Sequence, residues 1–171
     1  MQKSTKALFA LGNIYYQGKI LPKNTEKAIA LFKKAAQKGD ILSAYNLGYI
    51  YEHGEGIPKN YINALKYYHL AAKYGYIDAE YNLGTFYYRG MGVKQNKENA
   101  FQWYLRAAKA GDSEASYNIG LMYYRGEGVL KNKIDAFKFW MQAAKKSHQK
   151  AQIALDKLCN ESPWACRQLS Y

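Results

Sequence analysis

Four glycines, Gly12, Gly48, Gly84 and Gly120, stand 36 residues apart, and a second set, Gly18, Gly54, Gly90 and Gly126, keeps the same spacing. The text around them recurs as well. Ser43 to Gly75 reads SAYNLGYIYEHGEGIPKNYINALKYYHLAAKYG, and later copies read AEYNLGTFYYRGMGVKQNKENAFQWYLRAAKAG and ASYNIGLMYYRGEGVLKNKIDAFKFWMQAAKKS. An earlier copy opens at Ala7 with ALFALGNIYYQGKILPKN. A fixed period of this size marks a stacked-repeat protein, in which one helical pair cannot bury its apolar face alone. Such a chain presents a binding surface, and the repeat does not name what binds there.

A length of 171 residues suits one domain, or four to five such repeats with a cap. Hydrophobic residues make up 49%, enough for a core, and no run of 18 apolar residues is present, so no transmembrane span is expected. The first repeat begins within a few residues of Met1, which leaves no room for a signal peptide. Lysine and arginine total 25 against 13 acids, a net charge of +12. That field favours acidic partners, anionic surfaces or nucleic acid. The alternative is that the lysines keep an outer helix face solvated.

Within each copy the first helix carries small and apolar residues at helical spacing, Ala44, Leu47, Gly48 and Tyr51 in the second. A mid-helix glycine costs about 1 kcal/mol against alanine, so four in register call for close approach of a neighbouring helix. The helix stops at Gly54 or its equivalent. A loop follows with one apolar residue, Leu21, Ile57, Val93 or Val129, expected to plug the space between the two helices. Asn24, Asn60, Asn96 and Asn132 then stand where an N-cap opens the second helix. That helix alternates paired alanines with large aromatics such as Phe32, Tyr68, Tyr104 and Trp140, the pattern of interlocking layers. Asp40 and Asp112 are placed to cap the helix that comes next. The spacing predicts helices near 4–17, 25–38, 41–53, 61–74, 77–89, 97–110, 113–125 and 133–146.

After Ser147 the pattern fades. Ala151, Ile153 and Leu155 keep the register, but Asp156 stands in the glycine place, and Ser162-Pro163 starts one short last helix. Residues 148–171 therefore read as a cap with a polar outer face. Cys159 and Cys166 both lie there, and their spacing fits neither a CxxC redox site nor a zinc knuckle. They either close a helix-turn-helix disulfide, which implies an oxidising compartment, or remain two buried thiols. The pair favours a periplasmic or secreted location if a leader precedes this sequence, and a cytoplasmic one is expected otherwise.

The signature A-x-x-x-L-G-x-x-Y-x-x-G-x-G-V-x-x-N, continued by a central alanine, paired aromatics and A-A-x-x-G, resembles the Sel1-like repeat, a relative of the tetratricopeptide repeat with a longer loop. Ala115 to Ser147 fit it almost throughout, with Ser147 in the glycine place, and the first copy has Lys19-Ile20 in place of the second loop glycine. The resemblance implies an all-α fold, a right-handed α/α superhelical solenoid of about four helix pairs plus a capping segment. It implies one solenoid domain over 1–171, with repeats near 4–39, 40–75, 76–111 and 112–147. It also implies a concave face lined by the first helices and a non-catalytic adaptor role, as in similar bacterial proteins of signalling, host interaction and protein quality control.

On that expectation the inward positions follow from the Leu-Gly pair. They are Tyr16, Tyr45, Tyr49, His53, Tyr81, Tyr88, Arg89, Tyr117, Tyr124 and Arg125, an aromatic lining that turns basic in its later half. Tyrosine supplies contact area at low entropic cost and arginine forks a carboxylate. The other reading of the tyrosines two before leucine is packing between repeats, and Asn46, Asn82 and Asn118 either clamp a peptide or hold a neighbouring loop. The expected partner is a protein or peptide of acidic or aromatic-bearing character, held by a monomer. A dedicated inhibitor or immunity protein of a secreted effector is the alternative, and nucleic-acid or anionic-surface binding a weaker one. No cofactor and no metal is expected, because His53, His69 and His148 are single and far apart. The S-x-x-K at Ser147 has no companion motif, and the glycine turns lack the lysine-serine ending of a phosphate loop.

Overall fold

The structure is a computed structural model and describes residues 2–167, with side chains from residue 4 onward. Residues 168–171 of the expected cap, and Met1, lie outside the described residues. Among the described residues all regular secondary structure is helical: α1 (Gln2–Gln17), α2 (Thr25–Gln37), α3 (Ile41–His53), α4 (Tyr61–Lys73), α5 (Ile77–Arg89), α6 (Lys97–Lys109), α7 (Ser113–Arg125), α8 (Lys133–Ala144), α9 (Gln149–Glu161) and α10 (Pro163–Arg167). The predicted second helices run one or two residues too long. At their ends the chain tightens into three-residue turns, as where Lys38 donates to the Ala35 carbonyl and Ser147 to that of Ala144.

The helix starts follow from capping chemistry. Asn24, Asn60, Asn96 and Asn132 have extended or near-extended backbone, and each side-chain oxygen accepts the N–H three residues on, from Lys27, Asn63, Asn99 and Asp135. Asp40 and Asp112 do the same for Ser43 and Ala115, both at 2.6 Å. At α9 the cap is His148, whose Nδ1 accepts from the Ala151 N–H at 3.1 Å. Each loop closes on the preceding helix through one repeated bond, from the capping asparagine N–H to the carbonyl of Tyr15, Tyr51, Tyr87 or Tyr123. The stop of α3 needs a left-handed residue, and Gly54 supplies it at φ +70°. In the fourth copy Ser147 holds the equivalent of a glycine place at φ +62°, and it is the one non-glycine residue at positive φ among the described residues.

The mid-helix glycines explain the pairing of α1 with α2, α3 with α4, α5 with α6 and α7 with α8. A Cβ built on Gly12 or Gly48 would lie 2.6 Å from the ring of Phe32 or Tyr68. On Gly84 it would lie 2.5 Å from the ring of Tyr104, and on Gly120 it would strike Trp140. One aromatic per pair thus lies flat on bare helix backbone, and Phe32, Tyr68, Tyr104 and Trp140 are all buried. The second loop glycine has a related role. A Cβ on Gly56 would meet Thr25, and one on Gly128 would meet Lys97, at the start of the second helix of the preceding copy. The first copy has Ile20 in that place, exposed. Of the loop residues expected to fill space, Ile57 and Val129 are half-buried, whereas Leu21 is exposed.

The chain divides into two compact units, Met1–Ala79 with Met91–Val93, and Glu80–Gly90 with Lys94–Tyr171. In the first, α2 packs on α1 and α3, and α3 on α4. Its core is Phe32, Leu47, Ile50 and Tyr68 with the alanine pairs around them. In the second, α7 packs on α6 and α8, and α9 and α10 both pack on α8. Trp140, Leu155 and Leu158 close that end, and a disulfide between Cys159 and Cys166 ties α10 to α9.

Candidate functional site

The tyrosines that end the first helices hold neighbouring copies together. Tyr16 Oη donates to Glu55 Oε2 at 2.8 Å, Tyr88 Oη to Glu127 Oε2 at 2.5 Å and Tyr124 Oη to Glu161 Oε2 at 2.6 Å. Each bond joins a first helix to an acid 37 to 39 residues on, one copy further along. The second copy has Glu52 in the tyrosine place, and it accepts from Tyr68 Oη at 2.5 Å instead. Charge-assisted bonds of this type are among the stronger ones. The Tyr88 bond, with Lys97 at 3.0 Å and Arg125 nearby, holds the Glu127 carboxyl below the usual carboxylate range. The same carboxylate raises the Tyr88 hydroxyl above that of free tyrosine.

The tyrosines two before leucine are half-buried against aromatic neighbours. Tyr45 sits between Tyr68 and Tyr76, at ring distances of 5.7 and 4.8 Å. Tyr81 lies 5.6 Å from Tyr104, and Tyr117 stacks on His148 at 4.9 Å. Desolvation pushes the Tyr81 hydroxyl up, with the Glu114 charge adding to it. These half-buried rings pack against neighbouring aromatic side chains. Asn46 approaches Asn13 at 3.5 Å, and Asn118 is hydrogen-bonded to Tyr81, so both asparagines hold a neighbouring helix. In the first unit the freest of the expected residues are Tyr49, 36% exposed, and His53 stacked on it at 4.0 Å, with His53 Nδ1 donating to the Tyr49 carbonyl.

In the second unit the first-helix face has relief. A depression of about 180 Å³ is lined by Tyr88, Tyr104, Asn118, Leu121, Met122 and Arg125. Another of about 230 Å³ lies over α7 and α9, with Tyr117, Tyr124 and Trp140 in its wall. Leu121 and Arg125 line both. Arg89 and Arg125 are exposed, and neither forms a hydrogen bond or ion pair among the described residues. Arg89 lines neither depression. Leu121, one after the repeat glycine, is an inward position expected from the sequence, whereas three residues of this face were not singled out as such: Lys150, Ile153 and Lys157. The signal for them was the register carried past Ser147, which sets Ile153 in the place of Tyr117 and Lys157 in that of Leu121.

Among the described residues no group of three or more His, Cys, Asp or Glu is arranged to hold a metal ion, and no helix is long and apolar enough to cross a membrane.

A family model described as Sel1 repeat matches residues 5–40, 41–76, 77–112 and 113–148. The chain is similar to a Sel1 repeat protein from Oxalobacter formigenes, at 38% identity over 92% of this chain and 62% of that one, with a TM-score of 0.83. It is also similar to a protective antigen of uropathogenic Escherichia coli strains displaying an SLR fold, at 30% identity, covering 92% of this chain and 34% of that one, with a TM-score of 0.87. With Helicobacter pylori cysteine rich protein B it shares 26% identity over 81% of this chain and 99% of that one, with a TM-score of 0.62. The chain thus spans about a third of the Escherichia coli protein and under two thirds of the Oxalobacter one. No curated protein matches it.

Proposed function

The chain belongs to the Sel1 repeat family, and from that premise we propose that it is a non-catalytic scaffold that grips an acidic or aromatic-bearing protein segment on its first-helix face. The observation that carries this reading is Arg125. Its guanidinium borders two depressions and has no ion pair or hydrogen bond of its own among the described residues. An arginine so placed offers a bidentate fork to a carboxylate without first breaking a bond. Tyr88 and Tyr124 flank it with their hydroxyls already tied to Glu127 and Glu161, so their rings are fixed and lose little entropy on contact. Arg89 extends the positive field, and the net charge of +12 speeds encounter with an acidic partner.

The test is capture of the native partner by three proteins: the unaltered chain, Arg89→Glu/Arg125→Glu, and Lys34→Glu/Lys109→Glu as a charge-matched control on second helices. The arginine variant is expected to lose the partner while the lysine variant keeps it. Equal retention by both variants removes the first-helix face as the site.

A further inference from the structure

The segment α9–α10 has the form of a cap, yet one face of α9 is not built as a cap should be. A terminal element turns polar side chains to water, but Ile153 on α9 is 67% exposed. In the register of the copies Ile153 stands where Tyr81 and Tyr117 stand, and those two are half-buried against Tyr104 and His148. Ile153 lines the depression over α7 and α9, whose walls are Leu121, Ala154, Leu158, Trp140, Tyr117 and Tyr124. Trp140 is fixed there, since its indole Nε1 donates to the Tyr117 carbonyl at 3.1 Å.

The charges around this apolar hollow are of one sign. Arg125, Lys150 and Lys157 all line it, and no acidic residue does. Two acids near its rim already have partners. Glu161 accepts from Tyr124 at 2.6 Å and lies 3.8 Å from Lys157, and Glu114 stands 3.1 Å from His148 Nε2. A volume of about 230 Å³ is below the roughly 300–1,000 Å³ of a small-molecule pocket, and it suits one large apolar side chain.

Resting on the scaffold reading above, we infer that α9 forms part of the binding face: the α7–α9 hollow takes one aromatic or large aliphatic side chain of an acidic peptide segment, and Arg125, Lys150 and Lys157 take the carboxylates on either side of it. The apolar anchor supplies the affinity and the ring of cations supplies register and salt dependence.

The probe is a fluorescein-labelled peptide of sequence Asp-Glu-Phe-Glu-Asp, with a second peptide carrying Ala for Phe and a single-stranded oligonucleotide of matched charge. Fluorescence anisotropy is read for the full chain, Ile153→Asp, Lys150→Glu/Lys157→Glu and Arg89→Glu/Arg125→Glu. The Phe peptide is expected to bind more tightly than the Ala peptide, to weaken with salt, and to lose on the order of tenfold in Lys150→Glu/Lys157→Glu. In Ile153→Asp the two peptides should become equal. All three α9 side chains are exposed, so unchanged circular dichroism melts are expected for these variants. The inference is overturned if no peptide binding is seen up to about 1 mM, if Phe and Ala peptides bind alike to the unaltered chain, or if the oligonucleotide binds better than either. If the native partner is lost by the arginine variant but kept by both α9 variants, the scaffold reading stands and the α9 site falls.

Discussion

Replacing Gly84 by alanine should reverse the usual sign of that substitution. In an open helix the change stabilises by about 1 kcal/mol. Here the new Cβ would lie 2.5 Å from Tyr104 Cδ1, 2.6 Å from Cε1 and 2.8 Å from Cγ. Ordinary carbon–carbon contact is about 3.5–4.0 Å, so the ring must retreat by roughly 1 Å. It has little room to do so. Tyr104 is buried, its hydroxyl is bonded to Thr85 Oγ1 at 2.9 Å, and its ring rests against Tyr81. Overpacking costs about 1–3 kcal/mol, and weakening the Thr85 bond adds about 1 kcal/mol. Set against the helix gain, the net loss is about 1–3 kcal/mol, or a fall in Tm of about 2–12 °C for a chain of this size. A thermal melt followed by circular dichroism reads it directly. The same substitution in a Tyr104→Leu background should cost less or stabilise, since the flat ring is gone. A Tm for Gly84→Ala equal to or above that of the unaltered protein would refute the argument that these glycines exist to seat an aromatic ring.

Ser147→Gly relieves the one positive-φ side chain among the described residues and should raise Tm, by a gain of about 1 kcal/mol; a lower Tm would show that the serine contributes a contact worth more than the strain. The carboxyl of Glu127 titrates below its ordinary range, chiefly through Tyr88, so its contribution is present above the unfolded value of about 4.3 and is lost as pH falls through the lower folded value. Tyr88→Phe should therefore be less stable than the parent at neutral pH, with the gap closing below about pH 4, and a gap that stays constant across that range would exclude the linkage. Cys159→Ser/Cys166→Ser removes a loop of sequence separation 7 and about 2–3 kcal/mol at most, felt locally: amide exchange should quicken in α10 and leave α6 unchanged, whereas uniform quickening would make the disulfide a global support.

The eight repeat helices, the starts of the second helices and the glycine stops of the first were legible in the sequence because they rest on local chemistry. An asparagine before Thr25, Tyr61, Lys97 or Lys133 caps whatever follows it, and a glycine in the place of Gly54 accepts a left-handed turn, whatever the rest of the chain does. The mid-helix glycines announced a close contact in the same way, since their cost needs a compensating neighbour. Which atoms form that contact was settled only in three dimensions. So was the engagement of Tyr16, Tyr88 and Tyr124 with acids 37 to 39 residues away, because a hydroxyl's partner depends on which loop the next copy brings beside it. The exposure of Arg125 beside two depressions and that of Ile153 are of that second kind too. Sequence determines which side chains can bear charge or apolar surface, but packing decides which of them are already satisfied, and only the unsatisfied remainder is left to meet another molecule.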